Sequence, residues 1–519
     1  MISPLLWLLL AGPCALLLIG LLPAARANAI PMVMAARAQL AAIATFMSAL
    51  GMAVHTAVAG AVRTPVLPGV GLWFDSLTAV MFLLVSFVGA VVVNYSRNYL
   101  AGDADHGRFT KWLAFTLAAV LILIISGNLV QFAIAWVATS VGLNQLLLFY
   151  RDRPAAILAA RKKFIASRIG DLCLVGAIVL LGRTFGGLDY ATLFAGAGAL
   201  AATPGVIHVV AALLVIAALL KSAQFPLHGW LIEVMETPTP VSALLHAGII
   251  NAGGFLLLRF SAIVGLSAPS MDMLALFGGF TALFGSVVML TQSSIKVALA
   301  WSTIAQMGFM LLQCGLGAWS AALLHIVAHS LYKAHAFLSS GSVVDLARAS
   351  WSPSPGGQPH PARMGIAVGL VIAVTLLVST VFGAGIAERP GVFALGAIML
   401  LGLTHLIAQA IDERPNGFVM LRTLGLTMAV AAAWFGLQWL AARLFVGALP
   451  ADAAARGPLT LAIVVLVVGG FAAVTILQST LARASGTPRW QALHVHVSNG
   501  FYVNTIANRL VLRLWPTGR

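Results

Sequence analysis

The sequence predicts an all-α protein, a polytopic bundle of about 14 to 15 transmembrane helices, some of them discontinuous. Three observations carry that expectation. Of the 519 residues, 61% are hydrophobic. Only 8% are charged, against about 25% in a soluble domain. Apolar runs near the roughly 20 residues that cross a bilayer recur along the chain, separated by short polar breaks. In lipid a span must satisfy its own backbone hydrogen bonds, which makes the spans helices.

The first run, residues 3 to 22, ends near Ala24-Ala25-Arg26-Ala27, like a weak signal-peptide cleavage site. No Lys or Arg precedes the run, so an uncleaved first helix is expected. The next spans are expected at 38–61, 71–96, 112–126, 129–149 and 164–182. The loops after the first, third and fifth spans hold 10 Lys and Arg, including Arg161, Lys162 and Lys163; the loops after the second, fourth and sixth hold 2. The positive-inside rule then puts the N-terminus outside the cytoplasm. The formal charge of +15 is therefore a loop charge that sets orientation. No basic stripe interleaved with exposed aromatics points to nucleic acid, and the expected surroundings are membrane lipid.

The middle of the chain is less regular. An apolar run ends in Lys221-Ser222-Ala223-Gln224-Phe225-Pro226, and Glu236-Thr237-Pro238-Thr239-Pro240 precedes another. Proline breaks a helix by removing a donor and crowding the previous turn. Breaks of this kind inside a membrane often mark ion pathways. Gly253-Gly254 reads as a helix-packing pair and not as a phosphate cradle. Residues 346–363, rich in Ser, Pro and Gly, read as a mobile connection. The membrane domain is expected to span 1–480, followed by a basic amphipathic tail over 481–519. There Arg483, Arg489, Arg509 and Arg513 alternate with Trp490, Phe501, Tyr502 and Trp515. It reads as an interfacial or docking segment, or else as a solvated end helix.

Charge inside a bilayer is costly, so ionisable residues there are functional candidates. Lys221 follows a run without polar side chains from Val209 to Leu220. It could snorkel to an interface, but Gln224, Pro226 and His228 beside it point to a polar cavity. His325, His329 and Lys333 stand at i, i+4 and i+8, on one stripe of a helix. Histidine titrates near neutrality, and such a stripe can pass a proton along. Zinc at His325 and His329 lacks a third ligand nearby. His246 follows the break, and Lys296 precedes an apolar run. Arg168 and Asp171 lie one turn apart and can pair. Asp75 fits a helix N-terminus. Cys14, Cys173 and Cys314 are scattered through apolar runs and form no metal pattern. No cofactor and no catalytic site is expected in this chain.

These residues resemble a known pattern. Lys221 through His228, then Met235 through His246, look like the signature of proton-translocating antiporter-like subunits, such as subunit L of respiratory complex I and the large Mrp antiporter subunit. Ile295 through Gly308 is similar to a second signature of that family, and His325 through Ser342 to a third. Phe74-Asp75-Ser76-Leu77 and Tyr95-Ser96-Arg97-Asn98-Tyr99 match its early part. The resemblance covers about residues 70 to 345. It implies an antiporter-like subunit fold in which Lys221 is the central lysine of a half-channel. His246, Lys296, His325, His329 and Lys333 then continue a polar axis. Glu236 stands where the family has an acid after the break, and Asp171 and Arg168 join the path or serve as a structural pair.

Departures narrow the resemblance. The family carries Trp-Glu in its fifth span, whereas here Val137 follows Trp136. Residues 364–411 lack the family's second-half lysine and Pro-Pro-Phe segment, although His405 and Gln409 are polar there. No room remains after residue 480 for the long lateral helix of complex I subunit L. The short tail, with Val497 through Asn504, is similar to the Dab-type branch, membrane subunits of inorganic-carbon accumulation complexes. That resemblance implies a multi-pass protein of the bacterial inner membrane that conducts protons for a large soluble DabA-like partner. The partner would be carbonic-anhydrase-like and would hold the zinc. The rival implications are a pumping subunit of complex I or a related hydrogenase, an Mrp-type antiporter subunit, or a scaffold that only anchors a partner.

Overall fold

The computed structural model describes residues 4–67, 69–342, 360–411, 417–484 and 486–516. The expected mobile connection at 346–363 lies largely outside the described residues. Among those described, 11 helices are long and apolar enough to cross a membrane, and one bent pair makes 12. Two shorter apolar helices, Leu9–Leu21 and Gly205–Lys221, account for the remainder of the expected number.

The chain opens with α1 (Pro4–Leu21), α2 (Ala24–Ala29) and α3 (Pro31–Ala59). A two-stranded antiparallel hairpin follows, β1 (Val62–Leu67) and β2 (Val70–Phe74), in the register Val62 opposite Phe74. The expected span at 71–96 therefore divides into a strand and a helix, α4 (Ser76–Tyr99). Hydropathy cannot separate a short apolar strand from the helix it runs into. Asp75 ends the strand and caps α4, its carboxylate accepting from Thr78 N at 2.9 Å. The same carboxylate accepts from the Trp73 indole at 2.9 Å and forms a buried ion pair with Arg259 at 2.6 Å. Stranding either charge would cost about 3–5 kcal/mol.

Next come α5 (His106–Ile125), α6 (Leu129–Leu147) and α7 (Pro154–Phe185), then α8 (Tyr190–Gly198) and α9 (Gly205–Lys221). Helix α7 starts ten residues before the expected span, because Pro154 at its first turn suits a helix start. Arg161, Lys162 and Lys163, counted above as loop charges, lie inside it, and both lysines are buried. After α9 the chain breaks, then forms α10 (Gly229–Glu233), α11 (Thr239–Ala247), a 3-10 turn at Ile249–Asn251 and α12 (Ala252–Arg259). The stretch Thr239–Arg259 is wholly enclosed by other segments. Gly253 and Gly254 pack there as expected: a Cβ on Gly253 would meet Ala218 O at 2.7 Å.

Short α13 (Ser261–Val264) leads to α14 (Ala268–Met289) and α15 (Ile295–Gly315), which touch backbone to backbone. A Cβ on Gly278 would lie 2.5 Å from Leu312 N, and one on Gly308 would lie 2.6 Å from Ala282 N. Small residues allow this close approach between helices in lipid. Helix α16 (Trp319–Leu338) follows. Farther on, Pro390–Leu401 and Thr404–Ala410 meet at a 47° bend, as a broken span or a re-entrant loop. The C-terminal segment folds into Pro488–Ser498 and Val503–Leu514, joined by Gly500, Phe501 and Tyr502 at positive φ.

Candidate functional site: two buried polar clusters

Two helical stripes build the first cluster. Trp136, Ser140 and Asn144 recur every four residues on α6, and Lys163, Ser167 and Asp171 do the same on α7, so each set shares one face. Lys221, at the last turn of α9, binds the first stripe and shares a cavity with Lys163 and Ser167 of the second. Its Nζ donates to Ser140 Oγ at 2.9 Å and lies 4.2 Å from the centre of the Trp136 ring. The Trp136 indole N–H donates to Asp171 Oδ1 at 3.0 Å, and Arg168 pairs with Asp171 at 2.6 Å. Lys163 donates to the Ser140 carbonyl at 2.9 Å. The family's fifth-span carboxylate is absent at Val137, and Asp171 approaches the neighbouring Trp136 from α7 instead.

The break after Lys221 behaves differently from expectation. Gln224 donates to Ser222 O at 2.8 Å, and neither Gln224 nor His228 lines the cavity beside Lys221. His228 is buried among Phe225, Phe284 and Trp301, with ring centres 5.1–5.9 Å away. Neither of its ring nitrogens meets a hydrogen-bond partner among the described residues. The polar contacts of the buried lysine come from Ser140 and Trp136 on α6, not from the break.

The second cluster joins α11, α15 and α16. His246 Nδ1 lies 2.9 Å from Thr303 Oγ1, and its ring stacks on Phe337 at 4.4 Å. Lys333, fully buried, donates to Leu299 O at 3.0 Å. The rings of His325 and His329 are 6.0 Å apart on the same helix as Lys333, so the spacing 325, 329, 333 does form one stripe. Asn251 donates to Ser330 Oγ at 2.8 Å. Helix α11 and its extension connect the clusters: Leu245, Ile249 and Ile250 line the cavity at Lys221, while His246 reaches Thr303.

Lys296 lies at the first turn of α15, where it donates to Thr239 Oγ1 at 3.1 Å. Glu236 stands apart from both clusters. It is half-buried and pairs with Arg153 at 3.2 Å. The acid held in a less exposed setting is Glu233, which binds Lys162 at 2.7 Å. Asn504 and Asn508 of the C-terminal helix complete that group. Both accept from Lys162, at 2.7 and 2.6 Å, and both donate to Glu233, at 3.1 and 2.8 Å. The tail is therefore tied back onto α7 and α10. Among the described residues no group of three or more His, Cys, Asp or Glu could hold a metal.

Known proteins with similar sequences share this architecture. The family described as NADH:quinone oxidoreductase/Mrp antiporter, TM, matches residues 126–351. The N-terminal part of complex I chain 5 matches residues 68–110. A protein of Halothiobacillus neapolitanus named as a probable inorganic carbon transporter subunit, DabB2, is 41% identical over 85% of this chain and 80% of its own length. A counterpart from Hydrogenovibrio crunogenus, named as DabB, is 36% identical over 85% of this chain and 83% of its own. The NADH-quinone oxidoreductase subunit L of Mycobacterium tuberculosis is 38% identical over 53% of this chain and 43% of its own. Among solved structures, the Mrp complex from Dietzia superposes with a TM-score of 0.56 at 25% identity, over 99% of this chain and 58% of that one. An archaeal membrane-bound sulfane sulfur reductase shares the fold, with a TM-score of 0.57 at 18% identity.

Proposed function

The chain belongs to the DabB family, multi-pass membrane subunits of the antiporter-like type, and from that premise we propose that it conducts protons for an inorganic-carbon accumulation complex. The complex has a second component, a soluble carbonic-anhydrase-like protein that holds the zinc and hydrates CO2. Hydration of CO2 to bicarbonate releases a proton. A path that takes up this proton and is biased by the proton-motive force makes hydration run one way. The protein lies in the bacterial inner membrane with its N-terminus outside.

One observation carries the reading: a buried lysine ends a helix at a break and is held on α6 by Ser140 and Trp136, whose indole binds the Asp171–Arg168 pair of α7. An ammonium group is costly to keep in a membrane interior without a role. The second cluster, with His246, Lys333 and His329, continues a line of exchangeable protons across α11, α15 and α16. Such groups hand a proton on when water or a side-chain rotation brings a donor or acceptor within reach. The Nε2 atoms of His246, His325 and His329 need this, because they have no partner among the described residues.

Lys221→Ala tests this directly. The variant should insert at the wild-type level and abolish bicarbonate accumulation. Growth of the host at low CO2 and labelled bicarbonate uptake are the measurements, with membrane abundance as the control. Normal growth and uptake would defeat the reading. Purification of the chain with its native partner should yield a soluble zinc protein; recovery of redox or antiporter subunits instead would favour the complex I or Mrp assignment.

A further inference from the structure

We propose that Lys163 is a second proton-carrying lysine, standing between an outer polar crevice and Lys221. The inference rests on the proton-path reading above and adds to it the port through which Lys221 is reached.

Two cavities meet at this side chain. One, of about 170 Å3, is lined by Ser140, Asn144, Gln145, Ser167 and Arg168 as well as Lys163. The other, of about 10 Å3, is lined by Lys163 and Lys221 among apolar neighbours. That volume is near the lower limit for a single water molecule. Lys163 and Ser167 border both cavities, so Lys163 separates the roomier crevice from the space at Lys221.

The two lysines also share one residue. Lys163 binds the carbonyl of Ser140, and Lys221 binds its hydroxyl, each at 2.9 Å. Neither has a carboxylate within ion-pair distance among the described residues, because Asp171 is taken by Arg168. Two ammonium groups held at a single serine in a water-poor interior repel each other. The arrangement accommodates one proton readily and a second poorly. The step is then an exchange: Lys163 as ammonium swings from the Ser140 carbonyl to the hydroxyl of the same residue and gives its proton across it, Lys221 as amine takes it, and Lys163 is left as amine to be refilled from the crevice. Charge and protons balance without another reactant.

The competing role is structural, with Lys163 serving only to tie α7 to α6 through the Ser140 carbonyl. Two substitutions separate the roles. Lys163→Arg keeps the tie and the charge, but a guanidinium does not release its proton. Lys163→Met keeps the packing without the charge. The full chain, purified from its native membrane and reconstituted into vesicles, is assayed for proton flux with a pH-sensitive dye under an imposed potential. Both variants should fall at least tenfold at unchanged abundance. Wild-type flux in either one overturns the inference.

Ser140→Ala covers the case in which a Lys163 variant fails to insert. It leaves the carbonyl that holds Lys163 and removes the hydroxyl that carries the transfer. Its flux should fall in the same way, and wild-type flux again overturns the proposal. Lys221→Met, run alongside, separates the two levels. Loss of flux there with normal Lys163 and Ser140 variants defeats only the port, whereas normal flux in Lys221→Met defeats the path and the port together.

Discussion

Trp136 holds the first cluster at the scale of a single residue. Its ring lies under the Lys221 ammonium, its indole N–H positions Asp171, and its carbonyl lies 3.4 Å from Lys221 Nζ. Trp136→Phe keeps a ring for the lysine but deletes the donor to the carboxylate. A hydrogen bond to a charged group contributes about 1.5–3 kcal/mol, so proton-driven bicarbonate uptake should drop roughly tenfold with the protein still inserted. Uptake at the wild-type rate would remove Asp171 from the account of Lys221. Individual residues were unevenly legible in the sequence. Lys221 stood out because a charge at the end of a long apolar run has few explanations. Lys163 was hidden among Arg161 and Lys162, where three adjacent basic residues look like a loop. The signal that exposes it is the four-residue spacing of Lys163, Ser167 and Asp171, which only acquires meaning once the helix is known to start at Pro154. Glu236 was misleading for the opposite reason. The motif suggested a place on the path, yet its side chain turns to Arg153, and a motif does not encode the direction of a side chain at the 3-10 turn Val234–Glu236.

The elements show where periodicity suffices and where it does not. The stripe His325, His329 and Lys333 was readable from spacing alone, since four-residue steps fix one face of any regular helix. Its surroundings were not readable, because Leu299, whose carbonyl Lys333 binds, comes from another helix and His246, bound to Thr303 of that helix, from a third. We expect His329→Ala and Lys333→Ala each to cut transport by at least fivefold, and metal analysis of the isolated chain to find no stoichiometric zinc. Bound zinc that disappears in His325→Ala, or normal transport in Lys333→Ala, would show that the stripe is not a relay. The hairpin of β1 and β2 escaped notice because its second strand runs into an apolar helix with only Asp75 between them. The bend at Pro390–Leu401 and Thr404–Ala410 escaped because Gly402 and Leu403 between the two helices carry no proline. The tail was seen as basic and amphipathic, but the reason it lies against the body, two asparagines straddling Lys162 and Glu233, depends on a meeting of segments more than 270 residues apart.

At the scale of the whole molecule, composition alone decided the class: so few charges over so many residues leave lipid as the only adequate solvent. The order of the motifs then placed the chain among antiporter-like subunits, and the similarity to DabB proteins over 85% of its length narrows that to one branch. The described chain holds two buried clusters of protonatable groups and, by the reading above, depends on proton-motive force. A protonophore should therefore stop bicarbonate accumulation within the time needed to collapse the gradient, in cells whose NADH oxidation continues. Accumulation that persists under the uncoupler and follows NADH oxidation would contradict it. The enclosed stretch Thr239–Arg259 has a consequence for how the molecule is made. A nascent chain leaves the ribosome from its N-terminus, so when this stretch reaches the translocon, Asp75 is already waiting for Arg259, while Thr303 and Ser330, the partners of His246 and Asn251, have not yet been synthesised. A segment with one polar debt settled and two outstanding gains nothing by entering lipid alone. It is expected to stay with the insertion machinery until Ser330 arrives, 79 residues after Asn251, so the second cluster forms late, whereas the polar contacts of the first come from residues made before this stretch.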